Sequence, residues 1–238
     1  MSLLQIDNIQ TGYGNKQVLF DLSLTVERGE TVLLAGSNGS GKSTLLKAIY
    51  GLLPLWAGNI YYEGELIQTA DTDRKIANRH PLISRGLVYI PQKNELFSDM
   101  TVAENLTMSL LHLNDRHEMQ SRIEQLMTDI PLLKERYRQT TGKLSGGEAK
   151  LLTLGMALVN RPKVLLYDEP LAGLSPQNIP NTLQWIEKLY GYGTAMVIVE
   201  HRTKYLKNST DKITSMRFRT IEIDSLNIKD KTKVIDER

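Results

Sequence analysis

Gly36-Ser37-Asn38-Gly39-Ser40-Gly41-Lys42-Ser43-Thr44 constrains this chain more than any other stretch. Gly36, Gly41, Lys42 and Ser43 occupy the fixed positions of the pattern G-x-x-x-x-G-K-[ST]. The apolar run Thr31-Val32-Leu33-Leu34-Ala35 before it reads as a buried parallel strand. After it, Thr44 to Tyr50 places leucines and an isoleucine at helical spacing. Strand, glycine loop and helix together form the local geometry that cradles an oligophosphate. Glycines let backbone N–H groups approach the anion closely, and the helix N-terminus adds its positive dipole end, worth up to ~2 kcal/mol. Lys42 reaches the β- and γ-phosphates, and the Ser43 hydroxyl is a ligand for Mg²⁺.

Composition removes several classes. With 238 residues the chain makes one or two domains and buries a full α/β core. Its longest apolar runs, such as Ala195 to Val199, fall far short of the ~18 residues of a membrane-spanning helix. The N-terminus enters Leu3-Leu4-Gln5-Ile6 directly, so no signal peptide is expected. Without cysteine there are no disulfides and no thiolate metal sites. A net charge of +2 does not indicate a nucleic-acid binder, and no nucleic-acid partner is expected. The class is a soluble, cytosolic protein.

Along the chain, residues 3–9 and 18–26 alternate apolar and polar and read as strands. The turn Thr11 to Lys16 between them presents Tyr13. Ile60 to Ile67 reads as a hairpin turning near Glu63-Gly64. Residues 71–85 are polar and charged, and predict a short exposed helix and loop. Gly86 to Ile90 is another buried strand, closed by Pro91 and Gln92. From Thr101 to Leu133 the pattern turns helical through Ala103, Leu106, Leu110, Ile123 and Leu126. Leu144-Ser145-Gly146-Gly147-Glu148 opens a helix running to about Val159, with Ser145 as its cap. A further helix is expected from about Pro180 to Tyr190. The tail from Ile228 to Arg238 is charged and expected to fray.

The run Val164-Leu165-Leu166-Tyr167 ends in Asp168 and Glu169. An apolar strand that delivers carboxylates at its carboxyl end sets them beside the phosphate loop of a parallel sheet. Asp168 is suited to holding Mg²⁺ together with Ser43. Glu169 is suited to orienting or deprotonating an attacking water, a contribution of ~10²–10⁴-fold. Ser145, Gly146 and Gly147 form a second anion-binding helix end.

With these motifs in this order and spacing, and His201 after the last strand, the chain resembles the nucleotide-binding subunits of the ATP-binding cassette (ABC) family along nearly its whole length. The resemblance implies an α/β fold: a P-loop NTPase core with an antiparallel β subdomain and an inserted helical subdomain. The core would cover about 1–92 and 160–225, the helical subdomain about 93–159, and a charged tail 226–238. It implies that Glu169, His201, Lys42 and Gln92 act in hydrolysis, and that Tyr13 stacks on adenine. Residues Gly36 to Thr44 would bind the phosphates, and Ser43, Gln92 and Asp168 the metal. Ser145, Gly146 and Gly147 would close on the γ-phosphate held by an opposite subunit. ATP and Mg²⁺ follow as cofactors. A second ABC ATPase subunit, identical or not, and separate transmembrane permease subunits follow as partners, on the cytoplasmic face of a membrane.

Gly86 to Pro91 and Phe97 to Leu106 resemble in particular the branched-chain amino-acid importer ATPases, which also lack the aspartate that many members carry where Ser175 stands. Glu148 replaces a commoner glutamine, and Phe218-Arg219 departs from a glycine-turned hairpin after Asp211-Lys212-Ile213. The alternative is a soluble ABC ATPase serving a non-transport assembly such as iron–sulfur cluster assembly. Chromosome-organising relatives need a long coiled coil for which Thr44 to Leu144 has no room. A small-molecule kinase has no use for Ser145 to Glu148.

Overall fold

Alternating side chains near the N-terminus build an antiparallel sheet. In the computed structural model, which describes residues 2–71, 81–93, 95–206, 210–217 and 220–227, β1 (Leu4–Tyr13) pairs with β2 (Lys16–Val26). Leu4 and Ile6 face the core. The register then shifts around Asn8, at φ 46°, and Ile9 and Thr11 continue the buried face. The loop after β2 leads into β3 (Thr31–Ala35), which belongs to a second sheet. The first sheet is completed by β4 (Ala57–Tyr62) and β5 (Glu65–Thr69), in the order β2-β1-β4-β5. Glu63 and Gly64 join them with φ of 52° and 78°, the two positive angles of a type I′ hairpin. Gly58 sits where β4 passes the β1 bulge; a Cβ there would lie 2.4 Å from the Asp7 carbonyl oxygen.

The second sheet has the order β10-β9-β3-β8-β7-β6. Its β6 (Leu87–Ile90), β7 (Val164–Asp168), β8 (Ala195–Val199), β3 and β9 (Lys212–Arg217) run parallel, and β10 (Thr220–Asn227) returns antiparallel to β9. Of these, β3, β6, β7 and β8 read as apolar runs because both faces are covered. Val32, Leu34, Leu166, Val197 and Val199 face α1 (Lys42–Ile49) and the antiparallel sheet in one core. Leu33, Leu165, Tyr167, Met196 and Ile198 face the opposite side, among apolar residues of α5 (Gly146–Leu158) and α6 (Ile179–Gly191).

Between β6 and β7 the chain forms α2 (Val102–Met108), α3 (Arg116–Asp129) and α4 (Pro131–Glu135), followed by α5. Thr101 and Asp115 cap α2 and α3. Their apolar stripes, with Val102, Leu106, Ile123, Leu126 and Leu133, close on a third core that also takes Leu152 of α5. Leu154 and Ala157 of the same helix face the parallel sheet. Helix α5 is therefore shared between two layers.

Of the exposed helix and loop expected over 71–85, Leu82–Arg85 is a 3₁₀ turn, while 72–80 lie outside the described residues. The same holds for the charged tail from 228. Where Phe218-Arg219 replaces a glycine turn, the flanking strands β9 and β10 nonetheless pair antiparallel, Arg217 opposite Thr220.

Candidate active site

The carboxyl ends of β3, β6, β7 and β8 converge on one region, so parallel strands fix the relative heights of their last residues. After β3 the glycine loop turns sharply. Gly36 has φ +147° and a Cβ there would lie 2.5 Å from the Met216 carbonyl oxygen, so the loop runs against β9 where only glycine fits. Lys42, only 5% exposed, donates from Nζ to the carbonyls of Gly36 and Ser37, both at 2.9 Å, and to Ser40 Oγ at 3.3 Å. Burial lowers its pKa, and the charges of Glu169 and Asp168 oppose that shift. The loop thus holds its own lysine at its centre.

Ser43, in the first turn of α1, donates from Oγ to Asp168 Oδ1 at 3.0 Å. Asp168 is buried, and desolvation raises its pKa against the lowering effect of the Ser43 bond. A hydroxyl and a carboxylate this close offer two hard oxygen donors. Mg²⁺ takes few protein ligands and fills its remaining positions with phosphates and water, so this donor set fits it.

Glu169 follows at the strand end with φ +49°, a left-handed backbone that costs a non-glycine residue about 1–2 kcal/mol. Its two carboxylate oxygens have separate partners. Gln92 donates from Nε2 to Oε2 at 2.6 Å, and His201 Nε2 lies 3.2 Å from Oε1. Glutamate, glutamine and histidine come from β7, β6 and β8 and meet at the sheet edge.

A cavity of about 330 Å³ joins these groups. Tyr13, half-exposed, stands on its wall with its hydroxyl 3.5 Å from Thr44 Oγ1; Asn38, Gly39, Gly41 to Thr44, Glu169 and His201 line it as well. Asp168 reaches this group through Ser43, Gln92 through Glu169, and Gly36, Ser37 and Ser40 through Lys42. Ser145, Gly146 and Gly147 do not line it. They start α5, with Ser145 exposed as its cap.

That cap explains Glu148. Its Oε2 accepts from the Ser145 N–H at 2.8 Å while the Glu148 N–H donates to Ser145 Oγ at 3.3 Å, a reciprocal capping box, and Arg136 Nε donates to its other oxygen at 2.9 Å. The Ser145 backbone bond, then Arg136, hold its carboxyl below the ordinary 4.5. A depressed folded pKa gives stability that is present above the unfolded pKa and lost as pH falls through the folded one. Glu148→Gln is therefore expected to cost roughly 0.5–1 kcal/mol near neutrality. Urea unfolding of both proteins should show this difference shrinking below about pH 4.5. A difference independent of pH would mean that the charge at Glu148 contributes nothing.

Two buried charged residues at the site escaped the sequence reading, Lys150 and Glu200, 4% and 3% exposed. Lys150 shares a helical face with Leu154 and Ala157, at offsets of four and seven. A lysine in the apolar stripe was the available signal.

The model of a family described as "ABC transporter" matches residues 19–172, more than half of the chain. The chain belongs to the ABC transporter family. Within that family it is an ATP-binding and ATP-hydrolysing subunit. The high-affinity branched-chain amino acid transport ATP-binding protein BraG of Pseudomonas aeruginosa is 36% identical over 88% of this chain and 87% of its own. The lipopolysaccharide export ATP-binding protein LptB of Escherichia coli is 33% identical over 86% of this chain and 82% of its own. Among solved structures, the ADP conformation of an ATP-binding cassette of an ABC transporter superposes with a TM-score of 0.79 at 27% identity, over 97% and 94% of the two chains. The expected α/β fold with its antiparallel and parallel sheets is the fold of this ABC ATPase. No helix of the described residues is long and apolar enough to cross a membrane.

Proposed function

We propose that this ABC subunit binds MgATP in the cavity at the P-loop, hydrolyses it with Glu169 as the base that takes a proton from water, and works as a dimer on separate transmembrane subunits. The gathering of Tyr13, the P-loop, Glu169 and His201 around one cavity carries this reading. Tyr13 offers its ring to adenine. Lys42 exchanges the carbonyls of Gly36 and Ser37 for phosphate oxygens. Ser43 and Asp168 hold Mg²⁺, which supplies charge neutralisation across the phosphates. Gln92 and His201 fix the two oxygens of Glu169, so the carboxylate is oriented before a water arrives.

Ser145 offers its hydroxyl, and Gly146 and Gly147 their N–H groups, at a helix start outside this cavity, which suits them to the γ-phosphate of a second subunit. The relatives are ATP-binding components of transport systems for amino acids and lipopolysaccharide, and this chain has the same part to play beside permease subunits on a cytoplasmic membrane face.

Affinity purification of the tagged chain from detergent-solubilised membranes should recover a polytopic membrane protein in fixed ratio. Recovery from the cytosol alone, without such a partner, overturns the transport assignment and favours a soluble assembly.

A further inference from the structure

We infer that Lys150 and Glu200 form a buried clamp that holds Glu169 in its left-handed backbone conformation, and that both are positioning residues for hydrolysis. The inference rests on the role proposed above for Glu169.

Lys150 lies on α5 with its ammonium directed at main-chain oxygens: Nζ donates to the Glu169 carbonyl at 2.9 Å and to the Ala172 carbonyl at 3.5 Å. Glu200 lies at the end of β8. Its Oε2 accepts from the Leu171 N–H at 3.0 Å, and its Oε1 accepts from the N–H groups of His201 at 2.8 Å and Arg202 at 2.9 Å. Two buried opposite charges thus hold successive main-chain groups of residues 169–172 from two different elements. Burial lowers the Lys150 pKa, and the charge of Glu200 is the largest effect opposing it.

The clamped segment begins at the strained residue. Glu169 N–H donates to the Val199 carbonyl at 2.8 Å, and its own carbonyl also accepts from the Ala172 N–H at 3.1 Å. From this positive-φ position the Glu169 side chain meets Gln92 and His201. A residue held off its preferred backbone region persists only where its surroundings over-determine it. Lys150 and Glu200 are those surroundings. Glu200 also holds the His201 N–H, so both side chains at the reacting end of the cavity depend on one buried carboxylate. Lys150 lies five residues beyond Ser145, and it ties the helix that starts at Gly146 and Gly147 to the backbone of Glu169.

The test compares steady-state MgATP hydrolysis and fluorescent-ATP binding in the parent chain, Lys150→Met, Lys150→Gln, Glu200→Gln and the double variant Lys150→Met/Glu200→Gln. Misplacing a catalytic group by an ångström costs up to about a hundredfold. Lys150→Met should accordingly lower kcat by about 10–100-fold with KM and nucleotide affinity within about twofold. Lys150→Gln keeps an N–H donor and should recover part of the loss. The double variant should be no slower than the worse single one, because both residues act on one segment. A folded Lys150→Met protein with parental kcat overturns the clamp, as does a loss shared between kcat and nucleotide affinity, or multiplicative losses in the double variant. If Lys150→Met does not fold, Lys150→Gln decides by the same kcat and affinity criteria. Glu169→Gln is measured alongside. If it hydrolyses ATP at the parental rate, the role of Glu169 fails and takes the clamp with it. If it is inactive while the Lys150 variants match the parent, the clamp alone fails.

Discussion

Glu169→Gln should stop ATP turnover while leaving ATP bound. The substitution preserves length and volume and exchanges one carboxylate oxygen for an amide nitrogen. Oε2 now accepts from Gln92 at 2.6 Å, and Oε1 lies 3.2 Å from His201 Nε2. An amide accepts at one position only and takes no proton from water, so phosphate release should fall by about 10²–10⁴-fold, the usual contribution of a positioned base. Lys42, Ser43 and Tyr13 are untouched, so nucleotide affinity should stay near the parental value. A chain that binds ATP without consuming it should accumulate as an ATP-held dimer, visible by size-exclusion chromatography with light scattering. Parental phosphate release from the variant, or a monomer at saturating MgATP, contradicts the assigned roles.

Lys42→Ala should act one step earlier. The ammonium is nearly buried, and in its absence the carbonyls of Gly36 and Ser37 lose their shared donor. Hydrogen bonds to a charged group contribute about 1.5–3 kcal/mol, which corresponds to roughly a 10–150-fold weaker Kd for ATP. Hydrolysis should become undetectable, because the loop loses both its phosphate contact and the group that organises its carbonyls. Titration with a fluorescent ATP analogue checks this directly. Unchanged affinity would falsify the placement of phosphates at this loop. The contrast between the two variants is the useful part: one separates turnover from binding, the other weakens binding itself.

The sequence was most informative where a local rule had one physical solution. Thr31 to Ala35 and Val164 to Asp168 are uninterrupted apolar runs because helices or a second sheet cover both faces, and both are central parallel strands. Glu63-Gly64 marked its own hairpin because few residue pairs accept two positive φ angles. The reach of Ser43 to Asp168, separated by 125 positions, followed from strand ends meeting at one sheet edge. Less was legible where the determining partner is distant and of ordinary type. The pairing of β9 with β10 has no glycine or asparagine turn to announce it. Lys150 and Glu200 look like surface charges in a list of residues. The apolar stripe around Lys150 signals its burial, but the partners of both charges, backbone atoms of 169–172 and 201–202, are set by the tertiary fold. Glu148 is intermediate: the spacing of Ser145 to Glu148 fits a capping box, whereas the bond to Arg136 depends on how α4 meets α5.

The double allegiance of α5 has a consequence for how this protein comes apart. Leu152 belongs to the apolar cluster of α2 and α3, while Leu154 and Ala157 are seated on the parallel sheet. Cooperative units of a native protein open separately, and their hydrogen-exchange rates report which residues leave together. If α2 to α4 open first, α5 loses the neighbours of one face and keeps those of the other, along with the Lys150 tether to Glu169. The glycines at its start then stay with the nucleotide-binding layer rather than with the helices that precede them in the chain. Sequence order groups this helix with the insertion, but Leu154, Ala157 and Lys150 give it a second attachment, to the sheet and the backbone of Glu169.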